Sequence, residues 1–316
     1  MSERFDEALI KLLGSVSQEK LKEAYTELSV FYKEREEKLP PLKTFEQKCA
    51  YLTARFPATF AAVSKVLGQI RSLFPTEMCS LLDLGAGPGT AFLAAQEILG
   101  ELHEGELIER DTELIQLGKK LEEYASSKKG HWLAQDLKHL ELKRSYDLII
   151  ASYSIGELSK DEQLQLLHSV WPKVEGVLVL IEPGTPKGFA NIRAMREQLL
   201  QLGGFIIAPC PHQQACPMAE NDWCHFNVRL ERSKNHRLAK QATLSYEDEK
   251  FSFVAVAKQP IPLPTARIVR HPGKHSGHVN FVLCTRSGIL KQTISKKEKA
   301  VYKDARKKEW GDAFNV

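Results

Sequence analysis

No stretch of this chain approaches eighteen consecutive apolar residues, so no segment reads as a membrane-spanning helix. Closely paired C-x2-4-C knuckles are also missing, which sets the common zinc ribbons and fingers aside. There is no internal repeat and no low-complexity tract. The opening MSERFDEALIKLLGSV has neither the basic start nor the apolar core of a signal peptide. Its early Glu3, Asp6 and Glu7 do not suit the acid-poor composition of a transit peptide, so a cytoplasmic protein is expected.

What is present is an ordinary globular composition, 43% hydrophobic and 27% charged over 316 residues, enough chain for a full core. The net charge of +4 is unevenly spread. From Gln259 onward twelve Lys or Arg stand against four Asp or Glu, so the basic character belongs to the tail. A block of that sign suits a surface facing nucleic acid, with a solvated face as the plainer alternative. Six cysteines in a reducing compartment point to metal binding or chemistry before disulfides.

Three regions follow from the pattern. Residues 1–75 carry apolar positions at spacings of three and four and predict helices, punctuated by Pro40 and Pro41 and broken at Pro57. Residues 76–258 alternate β-like runs (CSLLDLG, GELIER, HWLAQDL, YDLIIASY, GVLVLIEPG) with helical ones, which predicts a parallel, doubly wound α/β sheet completed by GFIIAPC and FSFVAVAK. A cysteine-rich insertion, 208–250, interrupts it and ends in the basic, partly helical RLERSKNHRLAKQA. Residues 259–316 open on a proline-rich linker and predict a small β-rich appendage closed by a basic helix, KKEKAVYKDARKKEW.

LLDLGAGPGTAFLAA places Asp83, Gly85, Gly87 and Gly89 between a strand and a helix. Alternate glycines let the backbone turn sharply and approach a ligand. Glu109, ending the next strand, is placed to accept from ribose hydroxyls, and Asp136, ending the third, to read an adenine amino group. This D-x-G-x-G-x-G arrangement resembles the S-adenosylmethionine site of class I methyltransferases. No catalytic residue is assigned. The Asn-Pro-Pro-Tyr type of signature is absent after the fourth strand, where Ala151, Ser152, Tyr153 and Ser154 stand, and no nucleophilic cysteine lies near. Tyr153, Glu157 and Glu182 are candidates to line the pocket.

Cys210, Cys216 and Cys224 crowd APCPHQQACPMAENDWCHF, and Cys284 follows in the tail. Three loop thiols and a distant fourth suit a cubane iron–sulfur cluster. Zinc with help from His212 or His225, or thiols without a metal, remain alternatives. Cys49 and Cys79 read as small buried apolar residues. In the tail, Lys296, Lys299, Lys303 and Lys307 fall on one face of the predicted helix. Arg267, Arg270, Lys274, Arg286 and Lys291 would extend that stripe, Arg306 and Lys308 thicken it, and Trp310 would either stack on a base or anchor the helix to the domain.

RFPATFAA, the glycine loop, ASYSIGEL, LIEPGTPKGF, CPHQQACPMAENDWCHF, LSYEDEKFSFVAVAK and the terminal EWGD together resemble the methyltransferase-like assembly-factor family of the mitochondrial small ribosomal subunit and its bacterial relatives. The resemblance runs from about Arg55 to Asp312. It implies a class I methyltransferase fold, a 4Fe-4S cluster on Cys210, Cys216, Cys224 and Cys284, and binding to small-subunit ribosomal RNA during assembly or translation. A working S-adenosylmethionine-dependent rRNA methyltransferase is the alternative. A monomer is expected.

Overall fold

The computed structural model describes residues 3–14, 16–34, 42–74, 76–126, 128–232, 237 and 243–315. Pro40, Pro41 and most of the basic segment 229–242 lie outside the described residues. Three helices come first: α1 (Glu3–Leu13), α2 (Gln18–Glu34) and α3 (Phe45–Leu73). Thr44 caps α3 by accepting from the Gln47 amide at 3.1 Å.

Helix α3 continues through Pro57 rather than breaking there. The lost backbone bond is outweighed by packing, because Phe56, Ala58 and Phe60 on either side are all buried and the ring of Phe5 of α1 packs tilted against Phe60 at 4.9 Å.

Strands and helices then alternate: β1 (Ser80–Leu84), α4 (Thr90–Leu99), β2 (Glu104–Glu109), α5 (Thr112–Ala125), β3 (His131–Ala134), β4 (Tyr146–Ser152), α6 (Lys160–Val170), β5 (Val174–Pro183), α7 (Pro186–Gln201) and β6 (Phe205–Ala208). Two more strands, β7 (Phe226–Glu231) and β8 (Tyr246–Ala257), finish the sheet. The order is β3-β2-β1-β4-β5-β8-β6, with β7 on the outer half of β8. Strand β8 runs antiparallel to both β5 and β6, so the sheet is mixed where an all-parallel one was expected. One reversed strand between the fifth and sixth is the class I methyltransferase order.

Along β4 the side chains alternate between two cores. Leu148 and Ile150 join a cluster with α1–α5, and Ile149 and Ala151 join another with α6 and α7. The N-terminal helices thus share the sheet's own core.

The tail forms a second sheet from β9 (Ala266–Ile268), β10 (Gly273–Lys274), β11 (His278–Thr285), β12 (Gly288–Ser295) and β13 (Ala313–Phe314), around a small core of Ile268, Phe281, Leu283 and Phe314. The expected terminal helix is shorter than predicted. A 3-10 turn over Lys296–Glu298 is broken at Lys299, whose φ is +37°, and only α8 (Lys299–Ala305) is α-helical. Lys296 and Lys307 therefore stand off that helix, and the four lysines do not form one helical stripe.

Candidate functional site

The turn from β1 into α4 needs its glycines. Gly85, Gly87 and Gly89 have φ of +69°, +55° and +77°, the left-handed region that costs side-chain-bearing residues most. A Cβ on Gly85 would meet the Ser154 Cβ at 2.5 Å, whereas one on Gly87 would meet nothing within 4 Å. The loop opens onto a cavity of about 510 Å³ lined by Gly85, Gly87, Glu109, Asp136, Tyr153 and Glu157, among others, with Tyr51, Arg55 and Thr59 of α3 on one side.

Four of the six cofactor candidates line this cavity. Glu109 accepts from the Gly87 and Asp111 amides, each at 2.8 Å, and so fixes the loop while leaving lone pairs for a hydroxyl. Asp136 caps the short helix Leu137–His139 through the Lys138 amide at 3.0 Å and faces Arg110 at 3.9 Å. Asp83 and Gly89 are not in the cavity wall. Asp83 is 0% exposed, and neither of its oxygens closes a hydrogen bond among the described residues. Burial pushes its carboxyl up to about 7, although the Phe92 amide pulls the other way, while Glu109 adds to the rise. It forms a buried floor beneath the loop. Gly89 lies against Trp132, 3.1 Å from where its Cβ would be.

At the end of β4, Tyr153 takes the left-handed region with φ of +58°, a strained position for its bulk. Its hydroxyl donates to Glu249 at 2.9 Å, and Glu249 also holds Arg55 through two bonds at 3.0 and 3.3 Å. Burial, then the Glu249 charge, raise the Tyr153 phenol well above its ordinary value, so it stays protonated. Glu157 is tied to Arg110 at 3.0 Å. Glu182 is buried behind the cavity rather than in its wall; burial lifts it to about 7, and it accepts from the Gly156 amide and Asn191. The Arg55–Glu249 pair escaped the sequence reading. Its members lie 194 residues apart, and only the docking of α3 on β8 brings them together.

The cysteine segment leaves β6 and returns as β7, so it forms a loop at the edge of β8. Cys210, Cys216, Cys224 and Cys284 all line one cavity of about 30 Å³, Cys284 arriving from β11 of the tail. The thiols sense one another. Burial first, then the charges of Cys210, Cys284 and Cys216, hold Cys224 well above its ordinary range, and burial raises Cys284 to about 12. Among the described residues, no group of three or more His, Cys, Asp or Glu is arranged to hold a metal ion, so the geometry does not itself establish a metal centre. The donor set nevertheless fits an anionic metal–thiolate group. Three arginines, Arg193, Arg196 and Arg267, line the cavity, and among the described residues no carboxylate joins them and the Nε and Nη1 of buried Arg196 have no partner.

Both histidines near the loop are buried. His212 Nε2 lies 3.6 Å from the Cys284 sulfur, and His225 stacks on Trp223 and meets Trp310 edge-on. Trp310 thus packs the tail against the cysteine loop. Cys49 is buried as expected, while Cys79 is half-buried just before β1.

The predicted basic stripe divides. Arg267 is 4% exposed and donates to the carbonyls of Pro209 and Gly311, so it braces the junction and cannot meet phosphate. Arg270 pairs with Asp222, Lys274 with Glu309, and Lys308 with Asp304. Arg306 donates to the His275 carbonyl. Arg286, Lys291, Lys296, Lys299, Lys303 and Lys307 are exposed and carry no ion pair among the described residues.

Among solved structures, the plantazolicin methyltransferase BpumL in complex with SAH is 14% identical, covers 77% of this chain and 99% of its own, and superposes with a TM-score of 0.44. That likeness is too loose to argue from, and the fold rests on strand order. Closer in sequence is the human "Ribosome assembly protein METTL17, mitochondrial", 28% identical over 292 residues, 84% of this chain and 62% of that protein. The "Rsm22-cox11 tandem protein 2, mitochondrial" of Schizosaccharomyces pombe is 27% identical over 96% of this chain and 47% of its own length. The chain therefore spans about half to three-fifths of these relatives. Both are mitochondrial by name, which overturns the cytoplasmic expectation: the composition of the first sixteen residues was a poor guide to location. A family model described as "Mitochondrial small ribosomal subunit Rsm22" matches residues 45–315, from α3 through the tail, and the chain belongs to that family.

Proposed function

We propose that this chain is an assembly protein of the small ribosomal subunit, built on a methyltransferase fold, that holds a 4Fe-4S cluster on Cys210, Cys216, Cys224 and Cys284 and binds small-subunit ribosomal RNA through its tail. The observation that carries the reading is the convergence of those four cysteines on one cavity, three from the sheet domain and one from the tail. Such a cluster, when bound, supplies a compact anionic cross-link between two segments of chain. The four thiols would hold it, and Arg267 and Trp310 would close the junction around it. Exposed Lys291, Lys296, Lys299, Lys303 and Lys307 would then meet RNA phosphates, which gives affinity without reading sequence.

S-adenosylmethionine fits the larger cavity, with Glu109 for the ribose and Asp136 for the adenine. Its size and open Gly87 wall favour a second reading, an active rRNA methyltransferase. Against that reading, the hydroxyl of Tyr153 is committed to Glu249. The chain is proposed to act as a monomer.

The test is to purify the chain anaerobically and measure iron, acid-labile sulfide and zinc per chain, for wild type and Cys216→Ser. Near four iron and four sulfide, lost in the variant, is expected; one zinc without sulfide would remove the cluster. Binding of small-subunit RNA that weakens steeply with salt, and survives loss of S-adenosylmethionine binding, separates the assembly role from the enzyme. Methyl incorporation into that RNA would favour the enzyme.

A further inference from the structure

The cysteine cavity poses a charge problem. Of its three arginines, Arg193 is partly open and has Glu197 at 3.6 Å. Arg267 is buried but gives its Nε and Nη1 to backbone carbonyls at 2.7 and 3.0 Å. Arg196 is different. It is 2% exposed, and only its Nη2 is bonded, to the carbonyls of His212 at 3.3 Å and Gln214 at 2.5 Å. Among the described residues its Nε and Nη1 have no partner, and no carboxylate stands in the cavity wall to neutralise it.

A buried guanidinium in that state is costly twice over, once for the unpaired charge and once for the unmade hydrogen bonds. The flanking residues prevent it from escaping to water. Met195 and Leu199 of α7 are locked into the core, and Ile192 and Arg196, one turn apart, both line the cavity. An anion that also accepts hydrogen bonds through sulfur would resolve both costs, and a centre with four thiolate ligands is such a group.

We infer that Arg196 is the built-in counter-charge of the cysteine centre, its free Nε–H and Nη1–H serving the bound group while its Nη2 holds the loop that carries Cys210 and Cys216. This rests on the reading of the four cysteines as cluster ligands. Arg196 is a positioning residue: it touches no substrate, and it acts by setting the charge around the centre. Net charge and hydrogen bonds to sulfur govern the potential of such clusters, so the residue's signature is electrochemical.

The experiment compares the anaerobically purified full chain as wild type, Arg196→Lys and Arg196→Gln, by iron and sulfide content and by redox titration followed in the visible spectrum. Arg196→Lys keeps the charge and should keep both the iron and the wild-type potential. Arg196→Gln should shift the couple at least tenfold toward the oxidised form, about 59 mV lower for one electron, or lose its iron while the lysine variant retains it. Three coincident titrations, or equal loss of iron in both variants, would reduce Arg196 to a loop clamp and overturn the inference. A wild-type chain without iron and sulfide fails earlier, and takes the cluster reading with it before any variant is compared.

Discussion

The two cavities differ in what they leave unsatisfied. Around the glycine loop, of about 510 Å³, the polar groups of the cavity wall partner one another: Glu109 with the Gly87 and Asp111 amides, Asp136 with the Lys138 amide, Tyr153 with Glu249, and only Asp83 beneath that wall is left unbonded among those named. Around the cysteines, in about 30 Å³, four thiols and a buried arginine share one wall, and two of that arginine's donors have no partner among the described residues. A site whose hydrogen bonds are already made folds with or without its ligand. One that buries unpaired charge needs its ligand as part of the fold.

The sharpest way to break that contrast is to remove each ligand in turn. Cys216→Ser should destabilise the junction of sheet and tail on the order of 5 kcal/mol, well under the ~10–16 kcal/mol of structural zinc sites, and expose the 259–265 linker to protease. Saturating S-adenosylmethionine should add only about 2.7 kcal/mol at a hundred times its Kd. Thermal unfolding with limited proteolysis reads both. Equal effects would mean that the two cavities do not differ in kind.

A smaller effect tests the floor of the glycine loop. Asp83 has a folded pKa of about 7 against an unfolded value near ~3.9, so the native state binds more protons between those limits. Its contribution is fully present below about pH 4 and is lost as pH rises toward 7, at no more than ~1.4 kcal/mol per pH unit. Asp83→Asn should flatten that part of the stability–pH curve, measured by denaturant titration. Buried Glu182, also near 7, leaves a residual slope of the same sign. An unchanged slope in the variant would mean that Asp83 is ionised and paired in the folded chain.

Much of this was legible in the sequence because it is local. The strands of the sheet follow from apolar runs, and the left-handed turns from glycines at 85, 87 and 89. Continuity of α3 through Pro57 was not, since tertiary packing decided it. The reversal of β8 was equally hidden, because FSFVAVAK reads as a buried strand in either direction. Local pattern also misled in the tail: Arg267 counts as one more basic residue until its strand is placed against the cysteine loop, where it is buried. Arg196 was not singled out in the sequence, because its lack of a partner among the described residues is a property of the assembled cavity alone.

The two glycines that bracket the turn separate stability from binding. Gly85→Ala must push the Ser154 Cβ away from 2.5 Å in a left-handed position, and should cost about 2 kcal/mol in unfolding. Gly87→Ala meets no atom and should cost about 1 kcal/mol for its backbone alone. Its methyl group would instead occupy space at the cavity wall, so S-adenosylmethionine affinity should fall more than stability does. If both variants lost stability alone, measured by unfolding alongside calorimetric titration, the wall at Gly87 would not face the cofactor.

Glu109→Gln carries the least effect on the fold and tests the cofactor assignment most directly. The carboxylate accepts from two amides of its own chain, so an amide side chain can keep one bond but turns an NH2 toward the other N–H. That mismatch should cost about 1 kcal/mol of stability. Loss of a charged acceptor for the ribose hydroxyls should weaken S-adenosylmethionine by about tenfold, ~1.4 kcal/mol, with iron content unchanged because the cysteine cavity shares no wall with Glu109. A fall in stability with affinity intact would make Glu109 only a brace for the glycine loop. A fall in iron would show that the two cavities are coupled through the sheet, and the contrast between an optional ligand and a structural one would have to be given up.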